Sequence, residues 1–305
     1  RRLGDQMMRI AAVFSFADGQ SNQLINTIYA KFYTTDMDSD GKADLMVLRE
    51  GDTEASYGSA VVYSYVDNAM IRSKEVRLSQ RVDQIKRTKV SRLQSGEPAL
   101  YISSVFHDSA IVTDVLTIQN GNLTNLNSGG KLSYSVETLR NYYLYMEDID
   151  DDGVMEMPSL MEIRPAPNQA DAKPQQLVYW YAIDSEGYEI QKAFTFHNVD
   201  GGWYLLLKMD ALAVERLAVS KESGGYTFYL WDETGTSAAA LFSIYSFTGK
   251  DREKLATEQN RFTIYSSDNV IFAGKLEVAS GVNGMTQENL IESFRLIGTD
   301  WKQEG

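Results

Sequence analysis

The chain has 305 residues, of which 43% are hydrophobic and 23% charged, a composition ordinary for a folded protein and a length sufficient for two cores. Its 42 acidic against 29 basic residues give a net charge of −13, a field that repels phosphate backbones and argues against nucleic acid as a partner. Cysteine is absent and His107 and His197 are the only histidines, which excludes disulfides, thiolate nucleophiles, Cys-based zinc sites and multi-histidine metal centres.

No window approaches the roughly 18 consecutive apolar residues of a membrane-spanning helix, so no transmembrane segment is expected. The opening Arg1-Arg2-Leu3-Gly4-Asp5 lacks the apolar run of a signal peptide. Residues 8–16 read as a strand that ends in the turn Ala17-Asp18-Gly19. Further short strands, β-branched or aromatic and bounded by Gly, Asn, Asp or Ser, are predicted at 45–48, 60–65, 99–102, 114–118 and 176–181. Hairpin turns are expected at Val66-Asp67-Asn68, at Gln119-Asn120-Gly121-Asn122 and at Asp184-Ser185-Glu186-Gly187, where Asn and Gly tolerate positive φ. Both histidines fall in loop-like contexts.

The texture changes near residue 195. Strands are predicted at 201–207, 225–231, 240–245 and 262–265. Thr286-Gln287-Glu288-Asn289 then offers a helix N-cap with acid in the first turn, and Leu290, Phe294 and Ile297 share one helical face. Short helices are also expected at 211–220 and 251–259. These features divide the chain into a β domain over 1–195 and an α+β domain over 196–305.

The β domain repeats. Gly41 in DMDSDGKADLMVL, Gly96 in SRLQSGEPALYI and Gly153 in DIDDDGVMEMPSL lie 55 and 57 residues apart, and each precedes a strand, a longer segment, and an aromatic-rich strand with its hairpin turn. Residues 8–19 match the late strand and turn of such a unit. About three and a half units are expected, the first of them truncated.

Two of the units carry D-x-D-x-D-G-x-x-(D/E). Asp36, Asp38, Asp40 and Asp44 occupy positions 1, 3, 5 and 9 of the first, and Asp148, Asp150, Asp152 and Glu156 those of the second. A loop curling about a point turns alternate side chains inward, glycine at position 6 permits the bend, and the position-7 carbonyl of Lys42 or Val154 adds an oxygen. Hard oxygens in that number suit Ca²⁺, and two structural sites are expected. The competing readings are an acidic turn without an ion, and a catalytic cluster for which no second acid group is evident. Position 12 is Val47 or Ser159 where an EF-hand requires an acid followed by a helix, so a strand-loop-strand site is expected instead. The middle unit has Ser91, Leu93, Ser95 and Ala99 at the four positions and cannot hold a cation.

With these residues in view, DMDSDGKADLMVL and DIDDDGVMEMPSL resemble the calcium loops of FG-GAP or VCBS repeats, found in the propeller domains of integrin α subunits and in many bacterial surface proteins. The resemblance covers about residues 1–195 and implies that the eight acids ligate Ca²⁺ between neighbouring strands of a propeller blade. Too few units are present for a seven-bladed ring, and the middle loop lacks its ligands, so the expected fold is mainly β, with a partial or open propeller-like N-terminal domain and a C-terminal α+β domain, the latter similar to the PsbP-like fold. The layout also resembles exported lipoproteins of Gram-positive gut bacteria. That likeness implies an extracellular, cell-surface location, a lipid anchor upstream, and an unknown protein or glycan as partner.

Gly201-Gly202-Trp203, Trp231, Tyr226, Phe228 and Tyr229 could form a platform for stacking sugars or belong to the core of the second domain. Nucleophile elbows and phosphate loops are absent. A non-enzymatic binding or scaffold protein is therefore the expected function. The alternative, a secreted polysaccharide-acting enzyme or its accessory module, requires two carboxylates facing each other across a pocket away from the acidic loops.

Overall fold

The computed structural model describes all residues except 1, 4–5, 8, 18, 52–56, 107–109, 130–137, 143, 168–174, 210, 223, 279–284 and 299–305. His107 and Asp18 therefore lie outside the described residues. The fold is mainly β, built of several open sheets. By contacts the chain divides into two units, one comprising 1–157 and 181–191, the other 158–180 and 192–305. No helix among the described residues is long and apolar enough to cross a membrane.

After a short antiparallel pairing of Arg2–Leu3 with Gln6–Met7, the first unit has a ribbon of two antiparallel strands, β1 (Arg9–Ala17) and β2 (Gln20–Tyr29). Next comes a meander of β3 (Lys31–Thr35), β4 (Asp44–Arg49), β5 (Ser59–Val66) and β6 (Ala69–Arg72), with Val76–Arg77 also pairing to β5. A second meander succeeds it in the same order: β7 (Ile85–Arg92), β8 (Pro98–Phe106), β9 (Ala110–Gln119) and β10 (Asn122–Asn125). Two-residue turns close each meander's last hairpin. Asp67 and Asn68 have φ of 48° and 65°, and Asn120 and Gly121 have 50° and 74°, the left-handed pair that matches the twist of flanking strands.

Strand β4 shows why this unit stacks in layers. Its residues are buried on both faces, and because side chains alternate, Met46 and Leu48 join a core with Val62, Leu100, Ile102 and Leu116. Leu45 and Val47 turn the other way, joining Val61 and Tyr63 against Val13, Ile25 and Tyr29 of the ribbon. The ribbon's outer face stays open, with Ile10 53%, Phe14 47% and Phe16 82% exposed.

In the second unit a sheet is ordered β11 (Met157–Glu162), β12 (Gln176–Ile183), β13 (Glu189–Asn198), β14 (Trp203–Leu206) and β20 (Phe294–Leu296), the tip of its β12–β13 hairpin belonging to the first unit. Another sheet is ordered β15 (Leu217–Glu222), β16 (Gly225–Trp231), β17 (Ala238–Thr248), β19 (Val270–Leu276) and β18 (Phe262–Ser266). Trp203, Phe196, Phe228, Phe242, Phe272 and Phe294 share one core cluster. Trp203 and Phe228 are core residues rather than a sugar platform, being 1% and 0% exposed, and Tyr226 packs edge-on against Phe196.

Two helical expectations are corrected. Helix α4 (Gln287–Ser293) starts where expected, with the Thr286 hydroxyl accepting the Asn289 N–H at 3.0 Å, but Phe294 leaves the helix to begin β20. There it pairs with Leu205 and lies against Trp203 and Phe272, so sheet pairing overrides the helical spacing of Leu290, Phe294 and Ile297. Helix α2 (Ala211–Glu215) stops early because Leu217, Ala218 and Val219 are buried in β15. Between them α3 (Arg252–Thr257) forms within 251–259, and the short α1 (Leu126–Gly129) comes directly after β10.

Candidate metal centres

The first acidic loop joins β3 to β4. The Asp36 carboxylate accepts the N–H of Asp40 at 3.1 Å and of Gly41 at 2.9 Å, and Asp40 Oδ1 accepts the Lys42 N–H at 2.8 Å. Asp44, 2% exposed, accepts the N–H of Met37 through Oδ2 at 2.8 Å. Ser39 and Gly41 take φ of 61° and 85°.

The second loop reproduces this bonding 112 residues later. Asp148 accepts from Asp152 at 3.0 Å and from Gly153 at 2.9 Å, Asp152 accepts from Val154 at 2.9 Å, and Glu156 Oε2 accepts from Ile149 at 2.9 Å. Asp151 and Gly153 have φ of 61° and 83°, the same left-handed positions as Ser39 and Gly41. Each loop leads into a strand, not a helix. Position 2, Met37 or Ile149, is a functional position that the acid pattern alone misses. Its side chain is buried and its N–H holds the position-9 acid, and the signal lies in the two apolar residues lodged between aspartates at the same place in both loops.

These bonds gather Asp36, Asp38 and Asp40 so that one oxygen of each lies within 4.8 Å of the others, and do the same for Asp148, Asp150 and Glu156. Asp44 lies outside the first trio and Asp152 outside the second. Asp38 has its pKa raised, first by burial and next by the charge of Asp44. Glu156 is 0% exposed, and its Oε1 has no hydrogen-bond partner. Burial, reinforced by the charges of Asp150, Asp152 and Asp148 against the favourable Ile149 N–H, pushes its pKa up to about 8. A shielded acceptor lacking a donor, set among carboxylates, is what an oxygen-seeking cation would satisfy, and the donor set of acids fits Ca²⁺. Asp36, Asp38 and Asp40 could hold one cation and Asp148, Asp150 and Glu156 another, with Asp44, Asp152 and the carbonyls of Lys42 and Val154 as the further oxygens expected from the sequence.

The middle loop is held by protein instead. Gly96 keeps the bend at φ 100°, but Gln94 donates its N–H to the Ile183 carbonyl at 2.9 Å and Ser95 Oγ accepts from Ser185 N at 2.8 Å. Beside it an open cleft of about 530 Å³ is lined by Glu97, Gln119, Asn120, Ser185 and Glu186. Burial pushes the Glu97 pKa up, but hydrogen bonds from Ser95, its own backbone and Ser185 outweigh this and hold it below the usual range.

His197 sits half-buried on β13. Its Nε2 lies 2.7 Å from Thr195 Oγ1, which accepts the Trp180 indole N–H at 2.7 Å, and its ring stacks on Tyr204. Burial pushes its pKa down to about 3.

Compared with known proteins, the chain matches no family model, and no curated protein matches it.

Proposed function

We propose that this chain is an exported, cell-surface binding or scaffold protein whose β repeats, of FG-GAP/VCBS type, are stabilised by two calcium ions. The observation that carries the reading is the pairing of two loops with the same bonding, one of which buries a carboxylate oxygen with no partner. Four-stranded meanders packed face to face in the first unit support a partial, open propeller-like arrangement. The net charge of −13 supports a cation-rich setting and disfavours nucleic acid.

The cleft beside the middle loop bears on the hydrolytic alternative, since Glu97 and Glu186 both line it. Glycoside hydrolysis needs one carboxyl kept protonated as general acid, and the hydroxyl donors around Glu97 favour its ionised form. That supports binding over catalysis.

Thermal unfolding of the first unit, followed by hydrogen exchange over β3–β10, with millimolar Ca²⁺ and with chelator tests the reading. Sites with dissociation constants of about 0.1–1 mM contribute roughly 0.5–3 kcal/mol at such concentrations, a rise in midpoint of several degrees. Asp38→Ala and Asp150→Ala each remove part of the rise. Equal midpoints with and without chelator would sink the proposal. Glycan and cell-wall binding arrays address the partner.

A further inference from the structure

The two acidic loops share a backbone but not their surroundings. In the first, position 7 is Lys42, whose Nζ lies 3.3 Å from Asp40 Oδ2, so the trio of Asp36, Asp38 and Asp40 already carries an ammonium. A divalent ion entering there must displace it. In the second loop, position 7 is Val154 and no residue from 148 to 156 is basic. Its trio includes Glu156, fully buried with Oε1 unpartnered, so an ion arriving there satisfies an acceptor that has nothing else.

The second loop is also seated on its neighbour. Val154 pairs in parallel with Arg92 at the end of β7, the Met155 N–H reaches the Arg92 carbonyl at 3.3 Å, and Ser91 Oγ donates to the Gly153 carbonyl at 3.3 Å. Glu147 and Glu156 bridge antiparallel across the base of the loop. An ion that fixes the loop's curvature therefore also fixes the strip that meets β7.

We propose that the loops are unequal cation sites: 148–156 holds Ca²⁺ the more tightly and its ion fastens the loop to the end of β7, while Lys42 acts as a resident counter-ion that weakens 36–44. This rests on the two loops being calcium sites at all. It makes Lys42 a determinant of affinity and Glu156 the ligand that sets the stronger site apart. The first loop would then respond to ambient calcium while the second stays loaded.

Calorimetric titration of the full chain with Ca²⁺ alone provides the test, with hydrogen exchange at each stage of loading. Two steps separated by about tenfold or more in Kd are expected. Asp150→Asn should abolish the tight step and Asp38→Asn the weak one. Lys42→Ala, at an exposed side chain that threatens no core, should tighten the weak step several-fold and narrow the gap. Amide protection over 90–92 and 153–156 should rise with the tight step in the wild type and in Lys42→Ala, but not in Asp150→Asn. Equal affinities, loss of the tight step in Asp38→Asn, or an unchanged weak step in Lys42→Ala would each overturn the inequality while leaving calcium binding intact. No binding at millimolar Ca²⁺ would instead remove the calcium reading, and the inequality with it.

Discussion

At the scale of single residues, His197 shows how burial turns a titratable group into a packing element. With Thr195 Oγ1 bridging it to the Trp180 indole and Tyr204 stacked on its ring, the neutral imidazole is accommodated and the charged one is not. The unfolded chain takes up a proton near pH 6.5, whereas the folded one resists until about pH 3. The neutral His197 therefore supports folding fully above about pH 6.5, and that support is lost as pH falls from there toward 3. Denaturant midpoints of wild type and His197→Gln, compared from about pH 7 down to 4, should differ most in slope below 6.5. Parallel curves would contradict the assignment. Asp114 makes a complementary case: fully buried, its pKa raised by that burial, it accepts from Ser79 N, Ser79 Oγ and Asn125 Nδ2. Asp114→Asn would point an amide donor at one of those donors, and a loss of about 1–3 kcal/mol in chemical denaturation is expected.

Among elements, those whose signal is local were legible in the sequence. The acids at alternate positions, the glycine at position 6 and the Asn- or Gly-bearing turns specify their own backbone, and the structure has positive φ at Gly41, Gly96 and Gly153 alike. The strand at 45–48 extends by one residue at each end and that at 99–102 by one at its start and four at its end, because pairing partners, which propensity does not see, continue the ladder. What sequence could not supply was long-range choice. Phe294 has the spacing of a helical face, yet Trp203 and Leu205 recruit its segment as a strand. The seating of 153–155 on Ser91 and Arg92 depends on tertiary placement that the motif does not encode, whereas the Lys42 contact with Asp40, two residues away in the same loop, is local. The Thr286 cap of α4 is local and testable: Thr286→Ala should cost about 1 kcal/mol and Thr286→Ser much less, measured by denaturant unfolding. No difference between them would mean that packing of Leu290 alone holds the helix start.

For the whole molecule, both acidic loops lie in the first contact unit, whereas Trp180, Trp203 and Trp231 belong to the second. Fluorescence of these indoles consequently reports on a unit with no such acidic loop among the described residues. On heating, added Ca²⁺ should raise the transition seen by hydrogen exchange in β3–β10 while the fluorescence midpoint stays in place. A fluorescence midpoint that tracks calcium would mean that the two units melt as one. The ribbon at the start of the chain carries another consequence. Strand β1 is paired on one side by β2, and among the described residues no strand borders its other side, while Phe14 and Phe16 stand open to water. Bare main-chain donors and acceptors beside greasy rings make a template for fibril-like stacking, so concentrated samples should scatter light increasingly with time, and a gatekeeper charge such as Phe16→Lys should suppress it.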